Sequence, residues 1–214
     1  WHAISVTRAG GTTFNMMTPT HIRLPLAGAV LCVVAACAKP APQHGTPVGD
    51  GLPAPNIRVL DSRDSTFDLS AQKGRAVLLF FGYTHCPDVC PTTLTDFASA
   101  RRKLGRKADS FRFVFVSVDP ARDTPAVVEQ YARHFDSTFV GLAPTTAQLD
   151  SIKGAWGFAV MQEQMPGMKP SEYGVAHPAG VFFLDRAGIV RFVFRPGTNP
   201  DDLTADLKLL MSAK

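Results

Sequence analysis

Cys86 and Cys90 stand in the segment Gly82-Tyr-Thr-His-Cys-Pro-Asp-Val-Cys-Pro91. A thiolate is both a nucleophile and a soft metal ligand, and its pKa falls at helix N-termini and beside positive charge. The preceding run Ala76–Phe81 (AVLLFF) reads as a buried strand, and Thr92–Leu104 as a helix. The cysteines therefore occupy a loop that feeds a helix start, where unpaired backbone N–H groups gather. Two thiolates four residues apart in that position can lie on one face, where they share a soft cation or close into a disulfide. The chemistry on offer is copper binding, redox exchange, or both.

The rest of the chain supplies the elements that must position this pair. Asn56–Leu60 and Ser65–Leu69 suit an N-terminal hairpin around Asp61-Ser62-Arg63-Asp64. Phe111–Val118 (FRFVFVSV) reads as a second buried strand. Pro125–Phe135 reads as a helix capped by Asp123 or Thr124, with Pro in its first turn. Thr138–Leu142 is a further strand, and Thr146–Trp156 a helix capped by Thr145 or Thr146. Gly180–Leu184 and Ile189–Arg195 alternate around Asp185-Arg-Ala-Gly188 as a hairpin, and Asp201–Met211 closes the chain as an amphipathic helix. Strands alternating with helices, then a terminal hairpin and helix, predict an α/β domain over residues 56–214. Its layout is thioredoxin-like: a central mixed sheet flanked by helices, preceded by the N-terminal hairpin.

Two thiolates rarely complete a metal site. The best third donor is His177 in Tyr173-Gly-Val-Ala-His-Pro178, because in a thioredoxin-like sheet the loop entering the Gly180 strand lies across from the cysteine loop. Soft thiolates suit Cu(I) and imidazole helps to hold Cu(II), so one such trio tolerates both states. Structural zinc usually takes four ligands, and no clear fourth is offered. His85 adjoins the first thiol, but adjacent side chains point apart. His134 reads as a surface residue of a helix. Met161, Met165 and Met168 flank the His177 loop; thioethers are soft donors, although methionine more often fills gaps in packing.

The first fifty residues read as export and tethering signals. The chain opens with Trp1, and residues before Met16 or Met17 are read as upstream of the true start. Leu24–Ala36 is an uncharged apolar run, shorter than the roughly 20 residues of a retained transmembrane helix, so residues 1–36 read as a signal peptide. Val34-Ala35-Ala36-Cys37 resembles a bacterial lipobox, which implies cleavage before Cys37 and a lipid on its sulfur. Residues 37–55, rich in Pro and Gly, read as a tether with almost nothing to bury, and His44 within it as a solvated linker residue. Cys32 leaves with the signal and Cys37 takes the lipid, so only Cys86 and Cys90 remain of four cysteines. The basic excess is small, 22 Lys and Arg against 18 Asp and Glu, and Arg8 and Arg23 fall in the signal. No cationic cluster is interleaved with aromatics, which argues against nucleic acid as a partner.

The segments FFGYTHCPDVCPTTL, VSVDPARDTP and YGVAHPAGVFFLD, in this order, resemble the Sco/SenC family of copper-binding proteins, from about Pro55 to the C-terminus. The resemblance implies a membrane-tethered thioredoxin fold that binds one copper through two Cys and one His, here Cys86, Cys90 and His177. It further implies a metallochaperone that helps to assemble the dinuclear copper centre (CuA) of cytochrome c oxidase. The expected partner is the oxidase's copper-bearing subunit or another periplasmic copper protein. The expected setting is a monomer held to a membrane by lipid, with its domain on the periplasmic or extracellular side. Two departures stand out. The family commonly has Asp before the histidine and Ser or Thr after it, whereas this chain has Ala176 and Pro178. A missing carboxylate weakens orientation of the imidazole, and Pro178 biases His177 away from the α region.

Asp119, at the end of the Phe111–Val118 strand, reads as a support for the site, a partner-facing residue or a turn cap. Asp88, between the thiols, reads as exposed, where it tunes the thiols or meets a partner. The enzyme alternative is a thiol–disulfide oxidoreductase, with Cys86 as the attacking thiol and Cys90 as the resolving one. Against it, thioredoxin-type enzymes generally use C-x-x-C. A peroxidase is disfavoured because Pro87 stands where a peroxiredoxin carries Thr, three residues before the reactive Cys.

Overall fold

The computed structural model describes residues 44–212 apart from Asp64, Met165, Pro166, Met168, Pro170 and Ser171. The signal and lipid expectations at residues 1–37, and the thioethers of Met165 and Met168, lie outside the described residues.

Strand β4 (Ala76–Gly82) is buried at every position, as a continuous apolar run must be when both faces of a sheet are covered. It pairs in parallel with β5 (Phe111–Ser117), and Ala76↔Phe111 through Gly82↔Ser117 run in unbroken register. The Val118 N–H extends this ladder to the Gly82 carbonyl at 2.8 Å. Both strands thus end level, so that Tyr83 and Val118 leave the sheet together at its C-terminal edge. Strand β6 (Val140–Leu142) pairs in parallel outside β5, while β9 (Val181–Leu184) runs antiparallel on the other side of β4. β10 (Ile189–Phe194) follows β9, β1 (Thr46–Pro53) lies outside β10, and among the described residues the mixed sheet has six strands in the order β1-β10-β9-β4-β5-β6. The helices are α1 (Val89–Leu104), α2 (Pro125–Phe135), α3 (Thr146–Trp156) and α4 (Pro200–Ser212). The core they close includes Phe80, Phe81, Leu94, Phe115, Leu142, Phe194, Leu203 and Leu207, each with no more than 2% of its surface exposed. The expected N-terminal hairpin is present as β2 (Arg58–Leu60) with β3 (Thr66–Asp68).

Local chemistry sets several boundaries. α2 starts at Pro125 with Thr124 as its cap, the hydroxyl accepting the Val127 N–H. α3 opens on a reciprocal pair between Thr145 and Gln148 and stops at Gly157, whose φ of 69° suits glycine. α1 begins at Val89 rather than Thr92, because Pro91 is tolerated in a first helical turn, where its missing N–H costs nothing. Cys90 is therefore helical rather than a loop residue.

The tether reading to residue 55 needs correction. Thr46–Pro53 is β1, an edge strand antiparallel to β10 with an irregularity between Pro47 and Leu52. Gly49 and Gly51 lie within that irregularity at φ 44° and 90°, angles that glycine takes at little cost. Pairing of this kind uses backbone groups, so it needs no apolar alternation, and Leu52 stays 63% exposed. His44 is not a free linker residue either. Its backbone N–H and that of Gly45 reach the Asp206 carboxylate at 2.8 and 3.1 Å, and its ring lies against Asp202 and Asp206. Two further strands, β7 (Met161–Glu163) and β8 (Gly174–Ala176), pair only with each other. Among the described residues no helix is long and apolar enough to cross a membrane.

Candidate metal centre

The site is built where β4 and β5 end. Gly82 lets helix α1 come close: a Cβ there would lie 2.9 Å from the Cys90 sulfur and 2.6 Å from the Phe115 ring. The next turn is fastened by Asp123, whose side chain is wholly buried. Its carboxylate accepts the Thr84 N–H at 3.0 Å, the Thr84 hydroxyl, and the Ser117 hydroxyl at 2.6 Å. His85 turns to this same group, with Nδ1 3.1 Å from the Thr84 hydroxyl and 3.7 Å from Asp123.

Cys86 and Cys90 are free thiols. The Cys90 backbone N–H donates to the Cys86 sulfur at 3.3 Å, so that sulfur takes one of the unpaired groups at the start of α1. Cys90 is fully buried and Cys86 partly exposed. Their proton affinities are split. The Cys90 thiol's hydrogen bond, opposed by burial and aided by His177 and the N–H groups of Cys90 and Asp88, holds Cys86 down at about 3. The same shared hydrogen bond, then burial and the charges of Cys86 and Asp123, push Cys90 well above its ordinary value. Two sulfurs holding one proton behave in this way, since two adjacent thiolates repel.

His177 follows directly on β8. Its Nε2 lies 3.9 Å from the Cys90 sulfur. Nδ1 lies 3.0 Å from the Pro178 carbonyl oxygen, which can only accept. Nδ1 is thus turned to the backbone and Nε2 is the ring nitrogen that faces the sulfur. The Pro178 carbonyl thus fills, from the chain itself, the orienting role expected of a carboxylate before the histidine. Tyr83 and Phe80 meet the ring edge-on, at centroid distances of 5.7 and 6.2 Å.

Cys86, Cys90 and His177 are therefore neighbours at the start of α1. Among the described residues no group of three His, Cys, Asp or Glu side chains is placed so that it could hold a metal ion as it stands. One pair of donors, Cys90 and His177, nonetheless lies within the reach of a shared ion. Bonds of about 2.3 Å to sulfur and about 2.0 Å to imidazole allow donors up to about 4.3 Å apart, and 3.9 Å falls within that span. The donor set, two sulfurs and one nitrogen, suits a soft or borderline first-row ion such as copper.

The remaining expected residues lie further out. Asp119 is 3% exposed; its carboxylate accepts from Arg122 Nε and from the Tyr173 hydroxyl at 2.9 Å. Asp88 is exposed at the start of α1, with the Thr92 hydroxyl 3.4 Å away. His134 lies on the exposed side of α2, edge-on to Phe135. Met161 is 61% exposed and sits opposite Ala176 in the β7–β8 pairing. Four contributors escaped the sequence reading: Gly82, Tyr83, Asp123 and Arg122. The available signal was Asp119 and Asp123 flanking Arg122 directly after a buried strand, a charge density unusual for a turn beside a core.

The profile of the SCO1/SenC family matches residues 55–212, and the chain belongs to that family. A SCO2-like protein of Rickettsia felis is 28% identical over 154 residues, covering 72% of this chain and 74% of its own. The apo Sco1 protein of Thermus thermophilus superposes with a TM-score of 0.68 at 32% identity, covering 81% of this chain and 99% of that one. ScoI of Bradyrhizobium japonicum, whose structure holds copper, gives a TM-score of 0.63 at 34% identity and covers 73% and 98%.

Proposed function

We propose that this protein is a copper metallochaperone that binds one copper ion through Cys86, Cys90 and His177 and passes it to an acceptor during assembly of the CuA centre of cytochrome c oxidase. The observation that carries the reading is the approach of His177 Nε2 to within 3.9 Å of the Cys90 sulfur, beside a second sulfur already at the helix start. Membership of the SCO1/SenC family and the copper held in B. japonicum ScoI support it.

Cys86 supplies a thiolate at neutral pH, and Cys90 gives up its proton as copper enters, so loading releases protons. The partial exposure of Cys86 lets an incoming ligand of the acceptor reach the ion on that side while Cys90 and His177 still hold it. Asp88, exposed at the rim, meets the acceptor. Lipid on Cys37 holds the monomeric domain to a membrane, on the periplasmic or extracellular side. The test is copper titration of the reduced domain from residue 44 onward. Wild type takes up one equivalent of Cu(II) with sulfur-to-copper charge-transfer absorption. His177→Ala alters that absorption, and loss of either thiol abolishes it.

The unequal thiols favour a second reading. A low-pKa, partly exposed Cys86 is built to attack, and a buried Cys90 to resolve. In that step Cys86 attacks an acceptor disulfide to form a mixed disulfide, and Cys90, losing its proton, displaces the second acceptor sulfur. The acceptor gains two electrons, one proton from Cys90 and one from solvent, and Cys86 and Cys90 end as a disulfide. Insensitivity of this exchange to His177→Ala separates it from copper binding.

A further inference from the structure

The cysteine loop and the histidine loop belong to different parts of the fold, and one turn holds both. The strand that delivers His177, β8, is hydrogen-bonded to β7 in a separate two-stranded sheet and takes no register from the six-stranded sheet. The turn Asp119–Asp123, tightened by the Arg122 and Asp123 N–H groups on the Asp119 carbonyl, reaches out in both directions. Through Asp123 it binds Thr84 at the mouth of the cysteine loop. Through Asp119 and Arg122 it binds Tyr173, four positions before His177. Arg122 Nη1 donates to the Tyr173 carbonyl at 3.1 Å, its guanidinium lies 3.6 Å from the centre of the Tyr173 ring, and the Tyr173 hydroxyl returns to Asp119 at 2.9 Å. Arg122 Nε closes the circuit on Asp119. Arg122 also faces the Tyr83 ring at 5.7 Å, and that ring abuts His177.

We propose that the Asp119–Asp123 turn is a bracket that sets the separation between the thiols and the imidazole, with Arg122 as the positioning residue for His177. The proposal rests on the reading of His177 as a copper ligand. Nη2 of Arg122 is buried with no partner among the described residues. A buried donor left unmatched needs a reason, and the demand on loop geometry supplies it. The Pro178 carbonyl orients the imidazole ring from its own loop, and the bracket sets where that loop stands relative to the thiols.

The bracket acts on one oxidation state more than the other. Cu(I) is satisfied by two soft thiolates, whereas Cu(II) draws more on imidazole nitrogen. Loss of the residues that orient a ligating histidine typically lowers metal affinity by about 10-fold to 100-fold. The experiment compares Arg122→Gln, Tyr173→Phe and His177→Ala with wild type. Cu(II) and Cu(I) affinities are measured by competition, together with the sulfur-to-Cu(II) absorption and the urea midpoint. Tyr173→Phe removes one hydroxyl and keeps the ring under the guanidinium, so it remains informative should Arg122→Gln fold poorly. The bracket predicts that Arg122→Gln loses about 10-fold to 100-fold in Cu(II) affinity and shifts the absorption toward that of His177→Ala. Tyr173→Phe shifts it less, and both variants hold Cu(I) like wild type. Cu(II) binding and absorption unchanged in both variants, or Cu(I) and Cu(II) affinities falling together, overturns the bracket. If His177→Ala itself leaves the absorption unchanged, the ligand reading falls and takes the bracket with it. If His177→Ala changes it and the other two do not, the bracket alone falls.

Discussion

Replacing Gly82 by alanine presses on the site from beneath. The added Cβ lies 2.9 Å from the Cys90 sulfur and 2.6 Å from Cε2 of Phe115. Ordinary contact begins at 3.4 Å, so the sulfur must retreat by about 0.5 Å and the ring by about 0.8 Å. Neither has open space to enter, since Cys90 and Phe115 are both wholly buried. Gly82 does not use a left-handed backbone angle, and the penalty is overpacking alone. Overpacking a filled core costs about 1–3 kcal/mol. With a urea slope of about 1–3 kcal/mol per molar, the midpoint falls by roughly 1 M. The displaced sulfur also changes its 3.9 Å approach to His177 Nε2, so copper affinity drops in the folded variant. Urea unfolding followed by copper titration at low denaturant reads both effects. A variant with wild-type midpoint and wild-type copper uptake would refute the idea that this glycine makes room for the sulfur.

Two further predictions concern the thiols and their support. Iodoacetamide should modify Cys86 and spare Cys90, because the first is partly exposed and the second buried. With Cys86 lowered to about 3, the thiolate form dominates above that pH, and the rate stays flat from pH 8 down to about pH 5; an unperturbed thiol, with a pKa of about 8.5, slows about tenfold per unit over that range. A rate that falls tenfold per unit there, measured by peptide mapping over time, contradicts the assignment. Asp123→Ala removes the acceptor of the Thr84 and Ser117 bonds, and hydrogen bonds to a charged group contribute about 1.5–3 kcal/mol each. Its urea midpoint should fall accordingly, and a midpoint matching wild type would show that the cysteine loop needs no such fastening.

What could be read from the sequence was what local chemistry decides. Pro125 behind a threonine cap and Thr145 ahead of Thr146 fixed the starts of two helices, because caps act within a turn. The Ala76 run declared a central strand by its unbroken apolar character. β1 escaped because an edge strand is held by its backbone, and Thr46–Pro53 carries no alternating pattern to announce it. The start of α1 was misplaced by three residues because Pro91 can equally break a helix or open one. At the candidate site, the meeting of the Cys86–Cys90 loop with His177 was legible from donor chemistry and family resemblance. Asp123 and Arg122 were not, since their partners Thr84 and Tyr173 lie 39 and 51 positions away. A charged residue in a turn gives no hint of a partner that only tertiary folding brings near.

The most direct measurement is copper K-edge X-ray absorption on the loaded domain, wild type beside His177→Ala. Two sulfur scatterers and one imidazole in wild type, with the imidazole shells lost in the variant, are the expected result. A wild-type spectrum that lacks the imidazole shells, or a variant spectrum identical to it, would contradict a site shared by Cys86, Cys90 and His177.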